Sequence, residues 1–308
     1  QTVHHGLWDY DIGSAPNLVD IEVDGEPIKA VAQVSKTAFT YVFDRITGEP
    51  VWPIEERPVE PSTIPGERLH PTQPFPTKPA PFDRQGISEE DLIDFTPEIA
   101  AAARELAEEF VLGPIFTPPI VRGSNGKRST FVVPGAGGGA NFPGATVDPE
   151  TGIIYIPSAT RPHGMSLVPP PDDTSDWPYV IQMDRQVGPF GLPLLKPPYR
   201  RITAIDLNTG EHVWQIPFGK GPTNHPMLEH LNLPPLGSPY NDVVAEGGVL
   251  ITKTLLISYL AQKDEIDPEA HGSILVAHDK MTGELLGEVM VDQRLHGPPM
   301  SYQVDGKQ

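Results

Sequence analysis

One short turn recurs along this chain, and it limits the possible folds more than any other feature. The pattern Asp-x-x-Thr-Gly occurs at residues 44–48, 148–152, 206–210 and 279–283, each time between two segments rich in β-forming residues. In such a turn the aspartate side chain accepts backbone N–H bonds, and the glycine supplies the positive φ that a hairpin with a bulge requires. Three copies extend further. Residues 204–214 read Ala-x-Asp-x-x-Thr-Gly-Glu-x-x-Trp in full, 44–52 keep the Asp, Thr, Gly, Glu and Trp, and 277–287 lack only the final Trp. A supersecondary unit repeated in this way cannot bury its own faces and stacks on its neighbours, as in a propeller or a solenoid. The Trp closing each unit is expected to pack between adjacent blades.

Composition agrees with many short strands joined by ordered loops: the 308 residues include 38 prolines and 29 glycines, with no collagen-like period. The formal charge of −19 opposes binding to a phosphate backbone or an anionic lipid surface. The nearest basic clusters, residues 122–128 and Arg200-Arg201, are short and lack interleaved aromatics, so no nucleic-acid partner is expected. Without cysteine there is no disulfide, thiolate metal site or cysteine nucleophile, although the compartment stays open on that ground. No run reaches the roughly 18 to 20 apolar residues of a membrane span.

Between the repeats lie longer segments. Residues 53–81 read as an extended proline-rich connector. Residues 82–112 read as a helical insertion. Ser88 is a cap, Thr96-Pro97-Glu98 starts a helix running to about Phe110, and Ile99, Ala102, Ala103, Leu106 and Phe110 share its apolar face. The glycine-rich stretch 135–144 lies between two apolar strands and suits close approach of a planar ligand to the backbone. It lacks the Gly-Lys-Ser/Thr of a phosphate loop. Residues 164–199 read as a long proline-rich loop, and further strand pairs are expected over 201–217, 249–260 and 273–291. Both ends read as partial strands, so a piece of a longer protein is expected.

Potential chemistry concentrates near the start, where His4-His5-Gly6-Leu7-Trp8-Asp9-Tyr10-Asp11 packs two imidazoles, an indole and two carboxylates into eight residues. Taken alone, Asp9 reads as a turn carboxylate, Trp8 as a packing residue and both histidines as structural, since His-His-x3-Asp is not a dependable metal spacing.

Taken with other segments, the stretch says more. Residues 1–11, Ser35-Lys36-Thr37, Pro71-Thr72-Gln73-Pro74-Phe75, Ile115-Phe116-Thr117-Pro118-Pro119 and residues 137–144, together with the Trp-terminated repeat, resemble the pyrroloquinoline quinone (PQQ) dependent dehydrogenases. Within that family the resemblance is to the quinoprotein glucose dehydrogenase branch. It implies an all-β fold, an eight-bladed β-propeller of quinoprotein type, present here as a partial ring formed by the later blades over residues 1–308. The cofactors implied are PQQ and a Ca, Mg or lanthanide ion.

The resemblance makes Asp9 of Leu-Trp-Asp the catalytic proton acceptor, beside the metal, and Lys36 the residue that hydrogen-bonds the quinone oxygens. Asp11 stands where an acidic residue joins the metal shell in lanthanide-using relatives. The implied reaction is oxidation of an aldose or another polyol, with electrons passing to PQQ and on to ubiquinone or a cytochrome. The setting would be the periplasm, and any membrane association would come through a segment upstream of Gln1. Two alternatives stay open: a PQQ-dependent alcohol dehydrogenase, and a non-catalytic propeller scaffold. The sequence departs from the branch at Gly6, where an Asp is frequent, and near Pro157, where some members carry an Asn. Arg161 and His163 are expected at the surface rather than at a substrate mouth.

Overall fold

A computed structural model describes residues 1–171, 175–184, 188–238, 248–263, 271–293, 295 and 297–306. In chain order the first strands are β1 (Asn17–Val23), β2 (Glu26–Val34), β3 (Thr40–Asp44), β4 (Ile54–Pro58) and β5 (Thr72–Pro76). Helix α1 (Pro97–Ala107) follows, then β6 (Phe110–Val111), β7 (Ile120–Val121), β8 (Ser129–Val132), β9 (Thr146–Val147) and β10 (Ile153–Ala159). The remainder is β11 (His163–Val168), β12 (Val180–Asp184), β13 (Arg200–Asp206), β14 (Glu211–Pro217), β15 (Leu250–Ile251), β16 (Leu255–Lys263), β17 (His271–Asp279) and β18 (Leu285–Val291).

Three antiparallel sheets carry the repeat: β1-β2-β3, then β9-β10-β13-β14, then β15-β16-β17-β18. The middle sheet is buried on both faces, as its strands require. Along β10, Ile154 and Ile156 join a core with Val19, Ala32 and Val42 of the first sheet, while Ile153 and Tyr155 join a core with Leu256 and Val276 of the third. At roughly 1.5–3 kcal/mol for each large side chain removed from water, this alternation holds the stack together.

The repeated turn does what its residues predict. In all four copies the glycine N–H donates to the aspartate carbonyl at 2.8–2.9 Å, with the glycine at φ between +72° and +81°. The aspartate Oδ1 accepts the backbone N–H two residues on at 2.7–3.1 Å. Four turns nevertheless mark three sheets, because those at Asp148 and Asp206 both lie in the middle one. The closing tryptophans dock forward: a Cβ added at Gly210 would sit 3.1 Å from the Trp52 ring, and one at Gly283 would sit 3.1 Å from Trp214. Trp214 also donates its Nε1–H to the Lys280 carbonyl at 3.2 Å. A fully formed fourth strand is missing from the first sheet. Pro50 faces Phe43 in an isolated bridge, and a residue without an N–H cannot continue the ladder.

Several segments differ from the sequence reading. Residues 164–199, expected as a loop, contain most of β11 and all of β12, which pair with each other and, through β11, with β8 and β7. Within that range, 172–174 and 185–187 lie outside the described residues. Together with β6 these strands form a separate sheet, of which β6, β7 and β8 come before β9 in the chain and β11 and β12 between β10 and β13. The strand pattern was hidden because prolines flank it closely. In 53–81, β4 and β5 pair as a ribbon, with prolines 58, 74 and 76 accommodated because nothing pairs beyond it. Helix α1 lies within 82–112 as expected, capped by Thr96 Oγ1 accepting from the Ile99 N–H at 3.2 Å. It ends at Ala107, and Phe110 belongs to β6, so the buried face is Ile99, Ala100, Ala103 and Ala107.

The middle and third sheets are also joined by a buried ion pair, Lys280 Nζ to Asp148 Oδ2 at 2.7 Å. Burial alone would push the Asp148 carboxyl up, but the Lys280 ammonium, the Glu150 N–H and the Thr151 hydroxyl outweigh it and hold it below its ordinary value. A depressed carboxylate contributes stability that is present above the unfolded-state pKa and lost as pH falls through the folded one. Lys280→Met, which strands the buried charge, should cost about 3–5 kcal/mol in urea unfolding at neutral pH. That difference should shrink as pH falls below the ordinary carboxylate range and through the depressed folded-state pKa of Asp148, where its carboxyl protonates.

Candidate active site around Lys36

Lys36 sits in the tight connection between β2 and β3, where Ser35, Lys36 and Thr37 are all buried. The turn is fixed locally: Ser35 Oγ donates to the Phe39 carbonyl at 2.8 Å, and the Ala38 N–H closes on the Ser35 carbonyl at 3.1 Å, with Ala38 at φ +67°. Gln85 Nε2 holds the Thr37 carbonyl at 2.7 Å. The lysine is thereby aimed at the N-terminal stretch, where its Nζ meets Asp9 Oδ2 at 3.2 Å and Asp11 Oδ1 at 2.5 Å. The three predicted site residues therefore come together across 27 positions of sequence. The lysine side chain is 8% exposed, whereas Asp9 and Asp11 are 62% and 59% exposed. Burial lowers the affinity of Lys36 for its proton, but hydrogen bonds and charge from Asp11 and Asp9 outweigh it, and its pKa rises above the ordinary lysine value. The ammonium is thus protonated throughout the physiological range. Two of its three N–H donors are used on the carboxylates, and one remains.

The loop bearing Asp9 is anchored by its aromatics. Trp8 is fully buried and donates Nε1–H to the Thr117 carbonyl at 2.8 Å, with Phe116 edge-on at 5.2 Å and Tyr10 stacked at 5.9 Å. Tyr10 donates its hydroxyl to the Pro134 carbonyl, and burial pushes that phenol up. Trp8 is therefore a packing residue, and the 115–119 segment is the seat on which it rests. Between buried Trp8 and buried Tyr10, Asp9 is turned out to solvent with φ +63°, a left-handed conformation that aspartate tolerates better than most residues.

The glycine-rich stretch has a different first purpose from the one its composition suggests. Gly138, at φ +73°, lies so close to Lys36 that an added Cβ would come within 2.4–2.6 Å of the lysine Cγ, Cβ and Cα. Gly139 donates its N–H to the Lys36 carbonyl at 2.9 Å. The glycines thus make room for the lysine turn. The same loop also lines a cleft shared with Asn141, Pro157, Arg161 and Arg200. Arg161 and His163 are buried, not at the surface: Arg161 lies in the connection from β10 to β11, while His163 opens β11 inside its sheet and its Nδ1 accepts the Ala136 N–H at 3.1 Å. Arg200, passed over as part of a short basic cluster, is buried beside them. The one available signal was the pair of arginines opening β13 ahead of Ile202 and Ala204. His4 and His5 face carboxylates away from Lys36, Glu56 at 2.8 Å and Glu67 at 2.7 Å.

The whole chain, residues 1–308, matches the family "PQQ: Glucose/ethanol/alcohol dehydrogenase, beta-propeller domain". The chain belongs to that family. It is 30% identical to the glycerol dehydrogenase large subunit of Gluconobacter oxydans (strain 621H), covering all of this chain and 43% of that protein. To the quinoprotein glucose dehydrogenase of Escherichia coli (strain K12) it is 29% identical, again over its full length and 39% of the relative. The chain therefore spans about two fifths of the length of these relatives. Among solved structures, a europium-containing methanol dehydrogenase superposes with a TM-score of 0.53 at 18% identity, covering 97% of this chain and 38% of that one. The quinohemoprotein alcohol dehydrogenase from Comamonas testosteroni gives 0.52 at 19% identity, over 97% and 34%. These two show a shared β-propeller fold, here carried by the three stacked sheets.

The contact between the glycine loop and Lys36 leads to a comparison. Gly138→Ala should destabilise the protein by about 1–3 kcal/mol more than Gly25→Ala in urea unfolding. Both positions have positive φ, but an added Cβ at Gly25 meets nothing within 4 Å.

Proposed function

We propose that this chain supplies the proton acceptor and a quinone-binding lysine of a PQQ-dependent dehydrogenase that oxidises an aldose or another polyol. The observation that carries the reading is the buried Lys36 ammonium bracketed by two solvent-facing carboxylates in a chain of the PQQ family. The residues suit the groups they would hold. The third N–H of Lys36 is a donor for a quinone carbonyl oxygen, and Asp9 and Asp11 offer the hard oxygen ligands that Ca, Mg or a lanthanide prefers. Six to eight oxygens are usual around calcium, so two carboxylates would form only part of the shell. When bound, PQQ supplies an electrophilic carbon that accepts hydride, and the metal ion supplies Lewis acidity.

Within this chain, Asp9 takes the substrate hydroxyl proton as the two electrons leave with the hydride. Lys36 donates to Asp9 Oδ2 and holds that carboxylate in position, and Asp11 pairs with the ammonium from the other side. The left-handed backbone at Asp9 presents its carboxylate away from the aromatic seat. Relatives named for glycerol, glucose and quinate all act on molecules carrying several hydroxyls, which supports a polyol. The same reading places the reaction in the periplasm, with electrons passing on to ubiquinone or a cytochrome. A second reading, an alcohol substrate, draws on the quinohemoprotein alcohol dehydrogenase of Pseudomonas putida, 22% identical over the full chain. A panel of aldoses, polyols and simple alcohols separates the two.

In the full-length protein reconstituted with PQQ and Ca, Mg or a lanthanide, sugar-dependent reduction of an artificial dye should fall by roughly 10² to 10⁴ in Asp9→Asn, the usual contribution of a general base. A loss under about tenfold would remove Asp9 from that role. A scaffold protein would bind no PQQ at all and would be indifferent to Lys36→Met.

A further inference from the structure

A second set of metal-ligating side chains lies outside the Lys36 site, on the β4–β5 ribbon. One ligand atom from each of His4, Glu56 and His70 lies within 4.8 Å of the other two. The three come from distant parts of the chain, and the contacts around them hold each in place. The His4 backbone is gripped on both sides by the fully buried Gln73, whose Oε1 accepts the His4 N–H at 2.9 Å and whose Nε2 donates to the His4 carbonyl at 2.7 Å. The second ligand, Glu56, is steadied through Oε2, which accepts the Thr72 hydroxyl at 2.7 Å. His70 is oriented by its Nδ1 against the Thr72 carbonyl at 2.9 Å, and its ring lies 4.5 Å from that of His4.

The hydrogen bonds at His4 add a chemical argument. Its Nδ1 lies 2.8 Å from the Gln1 side-chain amide and its Nε2 2.8 Å from Glu56 Oε1. At that spacing a ring nitrogen and a carboxylate oxygen are bridged by a proton, and a metal ion can take the proton's place.

We propose that His4, Glu56 and His70 form a divalent transition-metal site, suited to Zn²⁺, separate from the catalytic centre and tethering the segment that carries Asp9. Two imidazoles and one carboxylate are a ligand set zinc accepts, with water in the fourth position. At its usual bond lengths of roughly 2.0–2.2 Å, tetrahedral ligand atoms stand about 3.3 Å apart, so His4 and Glu56 need open by only about half an ångström. Thr72 and Gln1 supply the outer hydrogen bonds that orient such ligands. His5, whose ring meets only Glu67, belongs to no such group.

The test is calorimetric titration of Zn²⁺ into the chelator-stripped full-length protein carrying Asp9→Asn and Asp11→Asn, which silences the Lys36 site. One saturable equivalent is expected. His70→Ala and Glu56→Gln should each weaken it by about tenfold or more, since even outer-shell partners contribute that much, whereas His5→Ala should leave it unchanged. Glu56 and His70 are exposed, so both replacements spare the core, and Zn²⁺ should raise the melting temperature of the parent but not of these variants. No saturable binding would overturn the proposal and leave His4 and Glu56 as a proton-bridged pair. Binding that ignores both replacements would overturn it equally.

Discussion

A β-sheet with apolar residues on both faces has to be covered on both, and this one constraint organises the molecule. Strand β10 shows it most directly, with Ile154 and Ile156 on one side and Ile153 and Tyr155 on the other, all buried. A twisted sheet of this kind cannot close on itself when its strands are few, so it stacks face to face with its neighbours. The forward docking of Trp52 on Gly210 and of Trp214 on Gly283 sets the offset between successive sheets. Only a glycine leaves room for the indole at that point, and only a glycine readily takes the positive φ of the turn, so one residue answers two demands. The Lys280–Asp148 pair adds a charge contact across the same interface.

The Lys36 site follows from the rigidity of that stack. The β2–β3 turn lies at the end of a sheet held from one side, and the glycine loop presses on it from the start of β9. The loop with Asp9 is positioned separately, through aromatic burial on the inserted segments. Two independently anchored parts thus meet at a single ion-paired cluster, and the lysine is desolvated while its partners stay wet. That asymmetry suits the roles proposed for Lys36 and Asp9. The sheet around β8 and β11 lies on the other side of the glycine loop, and Arg161, just before β11, and Arg200, at the start of β13, line the adjoining cleft.

Much of this was readable in advance, for local reasons. The Asp-x-x-Thr-Gly turns and the Thr96 cap depend on residues a few positions apart, and each side chain carries its own instruction; the packing role of Trp8 followed from its large apolar ring, although its seat lies at residues 116–117. The strands inside 164–199 were not readable, since prolines close on either side leave each too short a run for the alternation on which strand detection depends. Burial of Arg161 and His163 was missed because polar residues in an apolar run usually mark an edge, and here the covering strands come from elsewhere in the chain. The reason for Gly138 was hidden in the same way, as its neighbour is Lys36, about a hundred residues earlier.

By itself the sequence determined the repeated hairpin, the stacking of blades it demands and, through family resemblance, Asp9, Asp11 and Lys36 as residues of interest. Only the tertiary structure decided that these three share one cluster, which of them is buried, and that His4 turns from Asp9 toward Glu56 and His70. The division has a physical basis. Turn geometry and alternation are short-range properties written into neighbouring residues, whereas burial and charge pairing depend on what the rest of the chain brings to the same place.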